Sequence, residues 1–223
     1  MRAVRISLLV VFLMVLVLLP APVARVRAQE EPAAAAPVPV AIPPEITEVV
    51  EKQFGPCFKV ATTRSAVTVR YLHPAPEAPW VPYFTADLDN DGVEDLVVVA
   101  RCQNPLANQA DFDYTVVDPY YSANGYGNPR ITAAFSSGDP SRNNLVLVLL
   151  GAGAEGWHAE KPGGKWVLIN LPFDRVLPSH VEVGKKKKEH KIAALNLEEK
   201  DEGGSSVVYY DGKHWRWRDL TGH

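Results

Sequence analysis

Asp87-Leu88-Asp89-Asn90-Asp91-Gly92-Val93-Glu94-Asp95 is the stretch on which the reading of this chain turns. It places carboxylates at the first, third, fifth and ninth positions of a loop whose sixth residue is glycine. Alternate residues of a tight loop can aim their oxygens at one centre, and Ca²⁺ takes about six to eight oxygens at roughly 2.3–2.6 Å. Gly92 supplies the left-handed backbone turn that such a loop needs. Four carboxylates this close repel one another when no cation lies between them. The competing reading is an acidic surface turn with no ion.

The residues after the loop separate two calcium architectures. An EF-hand requires a bidentate Glu at position twelve and an exiting helix. Position twelve is Val98, inside the β-branched run Leu96-Val97-Val98-Val99-Ala100, which reads as a buried strand. Pro82-Tyr83-Phe84-Thr85-Ala86 leads in with a strand pattern of its own. The expected unit is strand, loop, strand.

The segment from Tyr83 to Val98 resembles the FG-GAP/VCBS repeat of integrin-type propeller proteins. The resemblance implies Ca²⁺ ligands at Asp87, Asp89, Asp91 and Asp95, with the backbone carbonyl of Val93. It covers about twenty residues, and only one such loop is present. Asp111-Phe112-Asp113 and Asp139-Pro140 lack both the Asp-Gly ending and the spacing. A propeller needs several repeats of about forty residues, more than remain after the amino-terminal segment. The expectation is therefore α+β: a mostly antiparallel β-sheet with one N-terminal helix packed on it, and not a full β-propeller. In this it is similar to small exported bacterial proteins that carry a single loop of this kind.

The amino terminus reads as an export signal. Met1-Arg2-Ala3-Val4-Arg5 is basic, Ile6 to Leu19 is apolar, and Val26-Arg27-Ala28 offers small residues before a cleavage point at Gln29. An uncleaved anchor is the alternative, favoured by Arg25 and Arg27. Removing residues 1–28 takes away four arginines and no acids, leaving 19 basic against 26 acidic side chains, a net −7. That charge argues against nucleic acid or an anionic membrane surface as partner. Residues 29–44 are rich in Ala and Pro and read as an extended linker. Residues 45–220 then form a single β-rich domain, exported to the periplasm or secreted.

That domain opens with Glu45 to Gly55, in which Ile46, Val49, Val50 and Phe54 share a helical face and Gly55 is a stop. Strands are expected at Thr68–Leu72, Asn144–Leu150, Trp166–Leu171 and Ile192–Leu197. Val207–Tyr210 and Lys213–Trp217 flank Asp211-Gly212, which reads as a two-residue hairpin turn. Cys57 and Cys102 are the two cysteines of the chain. In an exported protein they favour a disulfide over a pair of buried thiols.

Other motifs weigh less. Gly151-Ala152-Gly153-Ala154-Glu155-Gly156 matches a dinucleotide fingerprint, with Asp174 downstream, but Trp157 to Gly164 cannot supply the helix that would meet a pyrophosphate. A long hairpin loop is the expectation. Ser136-Ser137-Gly138-Asp139 is not a nucleophile elbow, because the glycine two residues before the serine is missing. The histidines are scattered, without a His-x-x-x-His pair for zinc, and Lys185–Lys188 reads as a solvated loop tip. Phe112, Tyr114, Tyr120, Tyr121 and Tyr126 crowd a turn-rich segment. Rings that cover the sheet edge and fill the core are the first expectation. A ligand surface of Tyr114, Tyr120, Tyr121 and Tyr126 is the second.

Two functions follow. One is a non-catalytic calcium-binding domain with a structural, adhesion or ligand-binding role toward a protein or carbohydrate of the cell envelope. The other is a calcium-dependent hydrolase with its acids in the loop region or among Glu155, His158 and Asp174. The first needs only residues that are present.

Overall fold

The computed structural model describes residues 39–63, 80–123, 144–184, 190–199 and 205–220. All of them fall within the unit Ala35–His223. The expected signal segment 1–28, linker residues 29–38 and the strand Thr68–Leu72 lie outside the described residues, as do Tyr126, Ser136–Pro140 and Lys185–Glu189.

Helix α1 spans Pro44–Phe54. Pro44 stands where a helical N–H would be unsatisfied in any case, which suits proline. Ile46, Val50 and Phe54 recur at one-turn spacing and are buried. Gly55, at φ 95°, ends the helix, and its N–H donates to the Glu51 carbonyl. The expected helix and its stop are both present.

The strands are β1 (Lys59–Val60), β2 (Tyr83–Ala86), β3 (Asp95–Arg101), β4 (Thr115–Val117), β5 (Leu145–Leu150), β6 (Gly164–Leu168), β7 (Arg175–Val183), β8 (His190–Glu198), β9 (Ser205–Tyr210) and β10 (Trp215–Asp219). Short helical turns α2 (Gln109–Phe112) and α3 (Pro119–Ala123) flank β4. The first sheet runs β1-β3-β5-β6-β4, with β2 also on β3. Because β5 pairs with Leu96 to Ala100, both β1 and β2 must lie on the opposite edge of β3, end to end. Among the described strands of this sheet the pairings are antiparallel except β4 with β6. The second sheet is the antiparallel meander β10-β9-β8-β7.

Among the described residues the fold is α+β and mostly antiparallel, as the sequence implies, with its strands in two sheets. One face of the first sheet, with Leu96, Val98, Leu147 and Leu149, packs on Ile46, Val50 and Phe54 of α1. Its other face, with Val97, Val99, Val146 and Val148, packs on Leu195, Leu197, Val208 and Trp215 of the second sheet. Strands β3 and β5 are therefore buried on both faces, the physical reason for their unbroken apolar runs. Phe54, Phe58 and Tyr114 meet ring to ring at centroid distances of 5.5–6.0 Å under the helix. The Cys57–Cys102 disulfide, with Cα atoms 5.2 Å apart, ties the chain after α1 to the end of β3.

The last hairpin differs from its expected form. Tyr210 pairs with Trp215, so the connection is the four residues Asp211 to His214. Asp211 accounts for the extra length. Its Oδ1 accepts the N–H groups of Lys213 at 2.9 Å and His214 at 2.8 Å, and its Oδ2 accepts from Arg216 Nε at 2.8 Å. Side-chain capping of this kind competes with the tighter two-residue turn.

Candidate metal centre

The acidic loop joins β2 to β3, and the pair Ala86↔Asp95 closes its base. Asn90 and Gly92 take left-handed backbone, at φ 62° and 84°, and fold the loop back on itself. Asp87 organises the turn: its Oδ2 accepts the Gly92 N–H at 2.9 Å and its Oδ1 the Asp91 N–H at 3.1 Å. Asp91 Oδ1 accepts the Val93 N–H at 2.7 Å. Leu88 goes the other way and is buried in the core between the sheets. It plugs the loop to the fold while its neighbours Asp87 and Asp89 stay partly exposed.

Asp95 is fully buried, at 0% exposure. Both of its oxygens are held by main-chain amides: Oδ2 accepts the Leu88 N–H and Oδ1 the Gly151 N–H, each at 2.7 Å. Burial pushes its carboxyl up to about 6. The two amide bonds pull against that, and the Asp89 and Asp87 charges add to it. Asp89 is also raised, by burial first and then by the Asp91 and Asp87 carboxylates. Among the described residues no lysine or arginine pairs with any of these four aspartates. Burial, together with crowded negative charge and no cation beside it, makes the anionic forms of Asp89 and Asp95 unfavourable.

Asp87, Asp89 and Asp95 each present an oxygen within 4.8 Å of the others. An all-oxygen donor set of this size suits a hard cation. Asp91, expected with them, lies in the same turn but is not one of the three. Val93, expected through its carbonyl, enters the turn's hydrogen bonding by its N–H.

The glycine-rich segment contributes what sequence reasoning missed. It forms the expected long hairpin loop, between β5 and β6, with a 3₁₀ segment at Gly153–His158. A Cβ at Gly151 would come within 2.4 Å of the Glu94 carbonyl oxygen and 2.7 Å of Val93 Cγ1. At Gly163 it would come within 2.8 Å of the Gly151 carbonyl oxygen, and at Gly156 within 3.2 Å of that of Glu94. These glycines let the loop lie directly on the backbone of the acidic turn. The signal was in the sequence as glycine spacing, but its partner is about sixty residues away in the chain.

The remaining candidates separate. Glu155 and His158 are exposed on the 3₁₀ segment, where the His158 ring stacks on Trp157. Asp174 lies before β7, its N–H donating to the Glu198 carbonyl. Among the described residues these three do not form a close group like that of the aspartates. Of the tyrosines weighed as a ligand surface, Tyr114 is instead where the first expectation, core-filling rings, puts it. Tyr114 is a core residue, 3% exposed, with its hydroxyl donating to the Pro105 carbonyl at 2.7 Å. It is drawn inward by the rings of Phe54 and Phe58. Tyr120 leans edge-on against Trp217, and Tyr121 is the exposed one.

No protein-family model, curated protein or solved structure matches this chain.

Proposed function

We propose that this chain is an exported, non-catalytic calcium-binding domain. The ion fixes the β2–β3 loop and so stabilises the fold, in the service of a structural, adhesion or ligand-binding role at the cell envelope. The observation that carries this reading is the meeting of Asp87, Asp89 and Asp95 within 4.8 Å around a buried carboxylate, with no basic side chain among the described residues to balance them. Two oxygens on one Ca²⁺, each at about 2.3–2.6 Å, stand at most about 5 Å apart, so the group fits that ion. Asp91 and the Val93 carbonyl complete the proposed ligand set from the same turn. The likeness to a single FG-GAP/VCBS loop supports the same assignment. Export rests on the amino-terminal pattern and is supported by the Cys57–Cys102 disulfide, which persists in an oxidising compartment. Among the described residues no helix is long and apolar enough to cross a membrane.

Extracellular calcium modules bind at about 10⁻⁴–10⁻³ M, which sets the affinity expected here. Protein stripped with chelator and dialysed against millimolar Ca²⁺ is expected to retain one calcium per chain by atomic emission. Retention of none, with the protein folded, overturns the proposal.

A further inference from the structure

We infer that Gly151 is a positioning residue for this metal centre, fixing the Asp95 carboxylate before any ion arrives; the inference rests on the calcium reading above. Three backbones are stacked at this point. The Glu94 carbonyl, one residue before Asp95, lies against Gly151, and the Gly151 carbonyl lies against Gly163. The Gly163 N–H closes the stack by donating to the Leu150 carbonyl at 2.9 Å. The approach is closer than a side chain permits at either glycine, because the atoms met are main-chain atoms that cannot swing aside.

The stack has a chemical product. It delivers the Gly151 N–H to Asp95 Oδ1 at 2.7 Å, opposite the Leu88 N–H on Oδ2. A carboxylate gripped at both oxygens by amides from two separate segments cannot rotate. One of its oxygens lies within 4.8 Å of an oxygen from each of Asp87 and Asp89. Outer partners of this kind typically set about 10–100-fold of metal affinity. Gly151 lies outside the left-handed region that favours glycine, unlike Gly153 at φ 59°. The role of residue 151 is therefore space, whereas residue 153 meets nothing within 4 Å and its role is backbone conformation.

That contrast supplies the test. Calcium affinity is measured by competition with a fluorescent chelator for the wild-type domain, Gly151→Ala, Gly153→Ala and Asp89→Ala. The native fold of each is checked by near-ultraviolet circular dichroism. Gly151→Ala is expected to weaken binding by about tenfold or more, and Gly153→Ala by less than about twofold despite its backbone strain. Equal affinity in wild type and Gly151→Ala, with Asp89→Ala losing binding, overturns the positioning role and leaves the calcium reading standing. Equal weakening in both glycine variants also overturns it. A wild-type domain that binds no calcium overturns both. Should Gly151→Ala fail to fold, hydrogen exchange at the Gly151 amide of chelated wild-type protein decides the matter. Protection there supports an arm set before the ion arrives, and exchange at the unprotected rate contradicts it.

Discussion

Two Asp-Gly turns in this molecule use the same parts to opposite ends. Asp91-Gly92 and Asp211-Gly212 both place glycine in left-handed backbone, at φ 84° and 88°, and both have carboxylates that accept main-chain N–H groups. At Asp211 burial pushes the carboxyl up. The bond from Arg216, the amides of His214 and Lys213, and the Arg216 charge together outweigh it and hold the group below its ordinary range. In the 87–95 loop burial and neighbouring carboxylates win instead, and Asp89 and Asp95 are raised. Tyr210 feels both turns. Its hydroxyl is held up first by burial, then by the charges of Asp211 and Asp89. One turn carries its own cation as a side chain, and the other gathers carboxylates that no lysine or arginine among the described residues pairs with. The same dipeptide sits in a charge-balanced turn in the first setting and beside an unbalanced acidic cluster in the second.

The largest expected effect lies in the sheet that carries the acidic loop, where the Cys57–Cys102 bridge clamps the far end of β3 to the chain after α1. Closing a loop with a sequence separation of 45 is worth up to about 4 kcal/mol in the chain-entropy account. Reduction should therefore lower the melting temperature by on the order of 10 °C in scanning calorimetry. Two reactive thiols in protein unfolded without reductant would show that the bridge does not form.

Next comes Asp95→Ala, which leaves the buried amides of Leu88 and Gly151 without their acceptor. A loss of about 2–4 kcal/mol is expected in urea unfolding without added metal. The matching change Asp211→Ala opens an exposed ion pair and should lose less than about 1 kcal/mol. Equal losses would erase the distinction between the two turns.

Calcium removal follows in size. At tenfold saturation an ion that binds only the folded state contributes about 1.4 kcal/mol. Chelation should lower the melting temperature by a few degrees and raise amide exchange across Tyr83–Ala100 and also Ile46–Phe54. The second segment is included because α1 packs on Leu96 and Val98 of the strand that leaves the loop. Exchange confined to Asp87–Asp95 would show that the ion does not support the fold.

The smallest effect is on pH dependence at the hairpin. A carboxyl held below its ordinary value in the folded state adds stability at neutral pH that fades as pH falls below about 4. Wild type should lose more stability than Asp211→Ala between pH 6 and pH 3, read from urea midpoints. Parallel profiles would contradict the compensated state of this turn.

What could be read in advance was local. Helix α1 showed in the one-turn spacing of Ile46, Val50 and Phe54, and the acidic loop in its alternating aspartates and Gly92. Strands β3 and β5 showed as apolar runs because both faces are covered, although the sheet that covers the second face did not. Strand β7 carries Pro178, which argues against a strand, yet β7 lies at a sheet edge, where proline is tolerated. Tyr114 sits in a turn-rich stretch and is nonetheless core, because Phe54 and Phe58 come to it from elsewhere in the chain. The run from Gly151 to Gly156 showed as a long hairpin loop, but the approach of Gly151 to Glu94 did not, because it depends on a contact between distant segments. Periodicity reports faces, and it does not report which element arrives to cover them.

The most direct test of the two-turn account is isothermal calorimetry of chelated protein titrated with Ca²⁺ to millimolar concentration, run on wild type, Asp89→Ala and Asp211→Ala. The account predicts one binding event in wild type, the same event in Asp211→Ala, and none in Asp89→Ala. Absence of heat in folded wild type, or an unchanged event in Asp89→Ala, would contradict it.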